Sequence, residues 1–260
     1  MESLETELER ARALDVDSLA ASIREIGFEC TRCGACCKAE ADDPHTATVF
    51  PDEVRQVQRA AAGLDDADAD DADDTDSDDR ADGAAGGSGG AGDSSATDPE
   101  AEYDWRDVAR PMPYGIREGP DGPTGETFEW ALATDDCGDC TFYEEAADGT
   151  GACSVHEDRP LVCQTYPFSV ALGGTSQPMG EAVDEDGVVR AHECEGLGRD
   201  IDREAARELA AALKERAVRE LEEAIAVRDS YEPTDADGVV VHDSEGAKRP
   251  DGRPLGPDAD

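Results

Sequence analysis

Cys30-Thr31-Arg32-Cys33-Gly34-Ala35-Cys36-Cys37 places four thiols in eight residues of a chain that holds nine cysteines in 260. The spacing C-x2-C-x2-C-C is that of a metal-holding loop. A C-x2-C turn lets two thiolates converge on one ion, and Gly34 supplies the positive-φ backbone such loops often need. The other five cysteines, Cys137, Cys140, Cys153, Cys163 and Cys194, lie far downstream. The expectation is a fold that folds back on itself and brings the two sets together around a metal centre.

Thiolates are soft donors that select zinc, Cu(I) or iron–sulfur centres over magnesium or calcium. Cys30, Cys33 and Cys36 reproduce the C-x2-C-x2-C run that begins bacterial ferredoxin loops, but Cys37 follows at once, without the x3-C-P ending. Consecutive side chains diverge, so an adjacent pair is awkward for one ion and natural when each thiol serves a different metal atom. Two mononuclear zinc sites and one polynuclear centre with thiols to spare both remain open at this point.

Working outward, residues 2–14 read as a helix with Leu4, Leu8, Ala11 and Leu14 on one face. Asp17 or Ser18 is a candidate cap for a second helix carrying Leu19, Ile23 and Ile26, ended by Gly27. Thr48–Val54 reads as a short strand running into a helix, with Pro51 in its first turn and the Asp52 and Glu53 charges at its N-terminus. From Asp65 to Asp82 there are eleven aspartates, and Gly83–Thr97 is Gly/Ala/Ser-rich. That composition cannot bury enough surface to offset chain entropy, so 63–102 is expected to be a disordered linker. It lacks the EF-hand spacing that would make its aspartates a calcium loop.

Past the linker, prolines keep the chain irregular until Thr127–Leu132, which alternates like a strand. Val170–Leu172 and Val188–Arg190 read as a strand pair. Residues 200–229 form the strongest helix, with Ile201, Ala205, Leu209, Leu213, Ala217, Leu221 and Ile225 repeating every fourth position and Asp200 as cap. That stripe reads as a core face, with a dimer seam as the sharper alternative. The tail from 230 is expected to be disordered, Val239-Val240-Val241 being too short to count as a strand.

The predicted class is therefore α+β: a small, irregular cysteine-rich domain with flanking helices, a few short strands and long disordered acidic segments. Its parts are the N-terminal helices (1–28), the two halves of the cysteine domain (29–62 and 103–199) around the linker, the long helix and the tail (230–260).

Lys and Arg total 23 against 65 Asp and Glu, a formal net charge of −42, and only Lys38, Lys214 and Lys248 are lysines. The acid excess runs through nearly every segment. It reads as adaptation to a very salty cytoplasm, where counterions screen self-repulsion, rather than as a docking face for a basic partner. Phosphate contacts need basic clusters, so no nucleic-acid partner is expected. No apolar run approaches the ~18 residues of a membrane span, and Met1–Glu5 shows no secretory signal. These features predict a cytoplasmic address without a membrane partner, in which cysteines act as thiols, metal ligands or catalysts rather than as structural disulfides.

Three segments together resemble a known family. They are Cys30-x2-Cys33-Gly34-x-Cys36-Cys37, then Cys140-Thr141-Phe142-Tyr143, then Cys153-Ser154-Val155-His156-Glu157-Asp158-Arg159-Pro160-x2-Cys163-x2-Tyr166-Pro167. The pattern is similar to the YkgJ-type cysteine cluster (CxxCxxCC) family, over about 29–62 and 126–198. The family is described as zinc- or iron-chelating and often labelled iron–sulfur oxidoreductase. The resemblance implies eight metal ligands: Cys30, Cys33, Cys36, Cys37, Cys140, Cys153, Cys163 and Cys194. It leaves Cys137 as an extra thiol, and it sets His156 where the family often carries Tyr, which makes His156 a packing residue. Arg159 either sits behind the ligands and offsets their charge or pairs at the surface with Glu157 or Asp158. Tyr166-Pro167-Phe168 would close the site from water.

Three functions follow. One is an iron–sulfur or other iron/zinc protein serving a redox or protein partner. The second is a structural zinc module for protein–protein interaction. The third, carried by resemblance alone, is a metal-dependent modifying enzyme of methyltransferase type. No Gly-rich nucleotide loop and no Ser-His-Asp motif is present to assign an enzyme class.

Overall fold

The computed structural model describes residues 3–39, 45–64, 103–172, 182–184 and 186–256. The aspartate- and glycine-rich segment expected to be a linker lies outside them.

Chain order is α1 (Leu4–Ala13), α2 (Val16–Ile26), β1 (Thr48–Val49), α3 (Pro51–Ala61), α4 (Trp105–Val108), β2 (Ala109–Pro111), β3 (Ile116–Gly119) and β4 (Gly122–Thr127). There follow β5 (Trp130–Leu132), β6 (Tyr143–Glu145), β7 (Gly151–Cys153), α5 (Leu161–Thr165), β8 (Phe168–Val170), β9 (Ala182–Asp184), β10 (Val189–His192), α6 (Arg203–Ser230), β11 (Val239–Asp243) and β12 (Gly246–Lys248). Helices and small sheets alternate, the α+β arrangement expected.

Local chemistry sets the helix ends. Ser3 caps α1 by accepting the Thr6 N–H. Asp15, rather than Asp17 or Ser18, caps α2, because its Oδ1 takes both the N–H (2.8 Å) and the hydroxyl (2.7 Å) of Ser18. Asp202, two residues after the expected cap, accepts the Ala205 N–H at 2.9 Å and starts α6. Pro51 opens α3, and Glu53 reaches back to the Phe50 N–H at 3.0 Å.

These elements enclose two cores. The first gathers Leu8, Ala11, Leu19 and Ile23 of α1 and α2, Phe168 and Val170 of β8, and Ala206, Ala210, Leu213, Ala217 and Leu221 of α6. The stripe on α6 is therefore a core face, packed within the chain on α1, α2, α5 and β8. A strict four-residue repeat drifts around a 3.6-residue helix, which is why Ala206 and Ala210 are fully buried while Ala205 and Leu209 stand at the margin. The second core holds Val49, Val54, Val57, Trp105, Val108, Trp130 and Leu132, and three-stranded β1-β5-β2 runs through it.

Three further expectations are corrected. The stretch read as irregular up to Thr127 holds β2, β3 and β4, the last two paired antiparallel. The strand read over Thr127–Leu132 is two. Thr127 ends β4 and pairs with Val241, whereas Trp130 begins β5 and pairs with Val49 and Pro111, with exposed Phe128 between them. Within the tail expected to be disordered, β11 and β12 complete the sheet β12-β11-β4-β3. Every residue of β11 is buried. Val239–Val241 is too short to signal a strand alone; what orders it is parallel pairing with β4. The Trp130 indole N–H to Asp243 (2.8 Å) and the buried Lys248–Asp243 ion pair (2.8 Å) reinforce it.

Candidate metal centre

Backbone hydrogen bonds lay the first cysteine loop against the second set of thiols. As the chain leaves α2 at Gly27 (φ 80°), Glu29 N–H donates to Gly196 O (3.0 Å) and Gly198 N–H to Gly27 O (3.0 Å), so Cys30 arrives beside Cys194. A side chain at Gly196 would put its Cβ 2.3 Å from Glu29 O, which fixes glycine there. Two residues past Cys30, Arg32 O accepts the Gly151 N–H at 2.7 Å, just before Cys153. Cys37 O then accepts the Cys140 N–H, also at 2.7 Å. Gly34 (φ 76°) turns the chain into a short 3-10 turn over Ala35–Cys37. A Cβ there would lie 2.2 Å from the Tyr143 hydroxyl, so the tyrosine that follows Cys140 seats directly on the loop.

The downstream thiols are held by short elements. Cys153 ends β7 opposite Tyr143 of β6. Cys163 sits in α5, whose first turn begins at Pro160 and Leu161. Cys194 follows β10, and the Gly196 N–H points at its sulfur at 3.4 Å.

Cys30, Cys33, Cys36, Cys37, Cys140, Cys153, Cys163 and Cys194 thus all line one cavity of about 690 Å³. Cys137 does not. It lies exposed in a turn, where its N–H donates to Asp135 Oδ1 at 2.8 Å. Sulfurs of the adjacent pair Cys36 and Cys37 are 3.8 Å apart. Among the described residues, no three Cys, His, Asp or Glu side chains converge tightly enough to be a ready-made metal site.

The electrostatics are those of a crowded thiol cluster. Burial pushes the Cys140 thiol up to about 11 and raises Cys163, Cys153 and Cys194 as well, with neighbouring thiolates adding to it. Cys36 is raised first by its hydrogen bond with Cys37 and then by burial. Its charge is felt by Cys140, Cys153, Cys163 and Cys194. Cys194 also feels Cys33 and Cys30.

None of the described residues lining the cavity is Asp or Glu, although these make up 65 of the 260 residues. The formal charges on its wall are Arg32 and Arg159. Arg159 Nε donates to His156 O at 2.9 Å, and the Arg159 charge favours the thiolates of Cys36, Cys153 and Cys163. His156, expected to pack, is instead 55 % exposed at the cavity rim with Nδ1 3.0 Å from Glu157, because its 3-10 turn directs the ring outward. Tyr166 lines the cavity with its hydroxyl donating to Glu193 O, while Phe168 is turned away into the first core.

One wall residue escaped the sequence. His45 is buried in the cavity lining, and its Nδ1 has no hydrogen-bond partner among the described residues. A lone histidine with no spacing partner carries no ligand signature; only its burial beside the thiols shows it.

Residues 94–195 match the family model CxxCxxCC, "Putative zinc- or iron-chelating domain". That span holds Cys137, Cys140, Cys153, Cys163 and Cys194; the C-x2-C-x2-C-C loop itself lies upstream of it, joined to it by the backbone bonds above. The comparisons with curated proteins and with solved structures returned no match. No helix among the described residues is long and apolar enough to cross a membrane.

Proposed function

We propose that this chain, which carries a CxxCxxCC-family domain over residues 94–195, binds zinc or iron through Cys30, Cys33, Cys36, Cys37, Cys140, Cys153, Cys163 and Cys194. The observation that carries the reading is that these eight thiols, from segments more than a hundred residues apart in sequence, line a single cavity. Their chemistry fits a soft metal. Thiolate sulfur favours zinc and iron, and a carboxylate-free wall in so acidic a chain avoids adding like charge to a thiolate centre.

The chain's own groups have separable tasks. The raised thiols stay protonated until a cation draws them to thiolates, so loading releases protons. Arg159 supplies compensating positive charge from the wall and, through its bond to His156 O, keeps a fixed place there. Tyr143 and Gly34 hold the first loop in register, and Phe142 and Val155 give the thiols an apolar backing that limits water. When bound, the metal supplies cross-linking of the two halves and, if it is iron, one-electron redox chemistry.

A cytoplasmic iron–sulfur protein acting with a redox partner is the form of this reading we favour over a purely structural zinc module. Its support is the C-x2-C-x2-C run, which matches cluster loops. Anaerobic purification in high salt, with an absorption spectrum and metal and sulfide analysis, tests both levels. Brown protein with iron and labile sulfide supports the cluster; colourless protein with stoichiometric zinc removes it and leaves the zinc centre. Protein that takes up neither metal overturns the metal-binding reading itself.

A further inference from the structure

We infer that Cys36 and Cys37 are a ready-made chelate: their two sulfurs take one and the same metal atom, captured there before the remaining cavity thiols close on it. The inference rests on the metal-binding reading above and deepens it by naming the place of first capture.

A distance carries the inference. Two thiolates on one tetrahedral ion, each about 2.3 Å from it, stand about 3.8 Å apart. The sulfurs of Cys36 and Cys37 already stand 3.8 Å apart. Adjacent side chains leave the backbone in different directions, which is why the sequence favours a different metal atom for each. Here a tight 3-10 turn over Ala35–Cys37 carries both residues, and their sulfurs converge nonetheless.

The turn is held from both sides. Cys37 N–H donates to Gly34 O at 2.8 Å, and Cys37 O accepts the Cys140 N–H at 2.7 Å. The Cys37 side chain packs against the second core. A chelate fixed in this way loses little freedom when it binds.

Exposure and charge set the order of events. Cys36 is exposed and Cys140 is buried, so an ion arriving from solvent reaches Cys36 first. Among the described residues, no third Cys, His, Asp or Glu joins the pair in a ready-made site. The pair is therefore the part of the centre that stands assembled before metal arrives. Cys36 also bears electrostatically on Cys140, Cys153, Cys163 and Cys194. A cation held on its sulfur acts on all four and favours their thiolates. In the capture step two thiol protons leave and two sulfur–metal bonds form, with nothing oxidised or reduced.

Phenylarsine oxide tests the chelate in the metal-free full chain. Its arsenic(III) exchanges the bonds to oxygen for two As–S bonds, and the thiol protons leave as water. A single equivalent should bridge Cys36 and Cys37, as located by peptide fragmentation in the mass spectrometer. Bridging of another thiol pair overturns the inference, as does failure to react. Loading with ¹¹³Cd²⁺ tests the shared atom. Cys36→Ser and Cys37→Ser should move or abolish one common ¹¹³Cd resonance, and the inference falls if no resonance responds to both. If either variant does not fold, the arsenical result on the wild type decides alone. A wild type that bridges the arsenical yet takes up neither Cd²⁺ nor Zn²⁺ is a different result, because it removes the metal-binding reading and the capture step with it.

Discussion

Glu53 Oε1 accepts the backbone N–H of Leu161 at 2.9 Å, 108 residues further along the chain. Its other oxygen accepts the Phe50 N–H at 3.0 Å. One buried carboxylate therefore starts α3 and at the same time fixes the first turn of α5, the helix that carries Cys163. It joins the two halves of the cysteine domain independently of any metal.

Burial raises the pKa of Glu53, against the pull of those two hydrogen bonds and of Arg219. Its proton is thus held more tightly in the folded chain than in the unfolded one. The contribution of this group to stability is fully present below the ordinary carboxylate range and is lost as pH rises through the raised value. Glu53→Gln abolishes that slope and leaves one N–H without its acceptor, a cost of about 1–3 kcal/mol. Urea denaturation of both proteins across an acid-to-neutral pH series should show the gap between them widest at the acid end. A gap that grows toward neutral pH would contradict this account.

Gly34 meets two demands at once, a positive φ and the contact with the Tyr143 hydroxyl. Gly34→Ala should therefore cost roughly 1–2 kcal/mol for the left-handed backbone alone, plus the steric clash. Because the strain falls on the loop between Cys33 and Cys36, metal stoichiometry should drop while the α1–α2–α6 core keeps its circular dichroism signal. Adding Tyr143→Ala relieves the clash but not the backbone term, so the double variant should recover metal only in part. Full recovery would show that φ is immaterial there.

Much of this was legible in the sequence, and what was missed has a common cause. Gly27, Pro51 and Glu53 announce helix boundaries through short-range chemistry, and they stand where the sequence puts them. C-x2-C-x2-C-C and R-P-x2-C-x2-Y-P are local patterns that mark five of the eight cavity thiols, and the resemblance to a known family supplied Cys140, Cys153 and Cys194. β11 was not legible, since three valines become a strand only by pairing with β4. His45 lacked a signature for the same reason: its significance is a position in space beside thiols remote in sequence. Arg216 stands between the apolar positions of α6, where the repeat alone gives it a solvent face, and its side chain is 1 % exposed.

That arginine ties α6 to the end of α5. Its Nε pairs with Glu220 at 2.7 Å, and its Nη1 donates to Thr165 Oγ1 at 3.0 Å, two residues after Cys163. Truncation to alanine takes the buried cation from half-buried Glu220 and its hydrogen bond from Thr165, and should destabilise the chain by about 1–3 kcal/mol, measured by denaturant unfolding. Arg216→Met keeps the packing volume and should cost clearly less than alanine. Equal losses in the two variants would place the whole effect in the charge.

Cys137 offers the sharpest separation between resemblance and thiol counting. It is exposed, outside the cavity, and held in its turn by Asp135, whereas the other eight cysteines line the cavity. Metal binding ties up thiolates, and alkylation needs a free one within reach of solvent. In the metal-loaded chain, iodoacetamide should therefore modify Cys137 rapidly and the remaining eight slowly, as read by peptide mass spectrometry. Stripping the metal with a chelator should expose the cavity thiols to the same reagent. Cys137→Ser should leave metal content unchanged and abolish the fast phase. Loss of metal in that variant, or protection of Cys137 in the loaded protein, would bring the ninth cysteine into the centre.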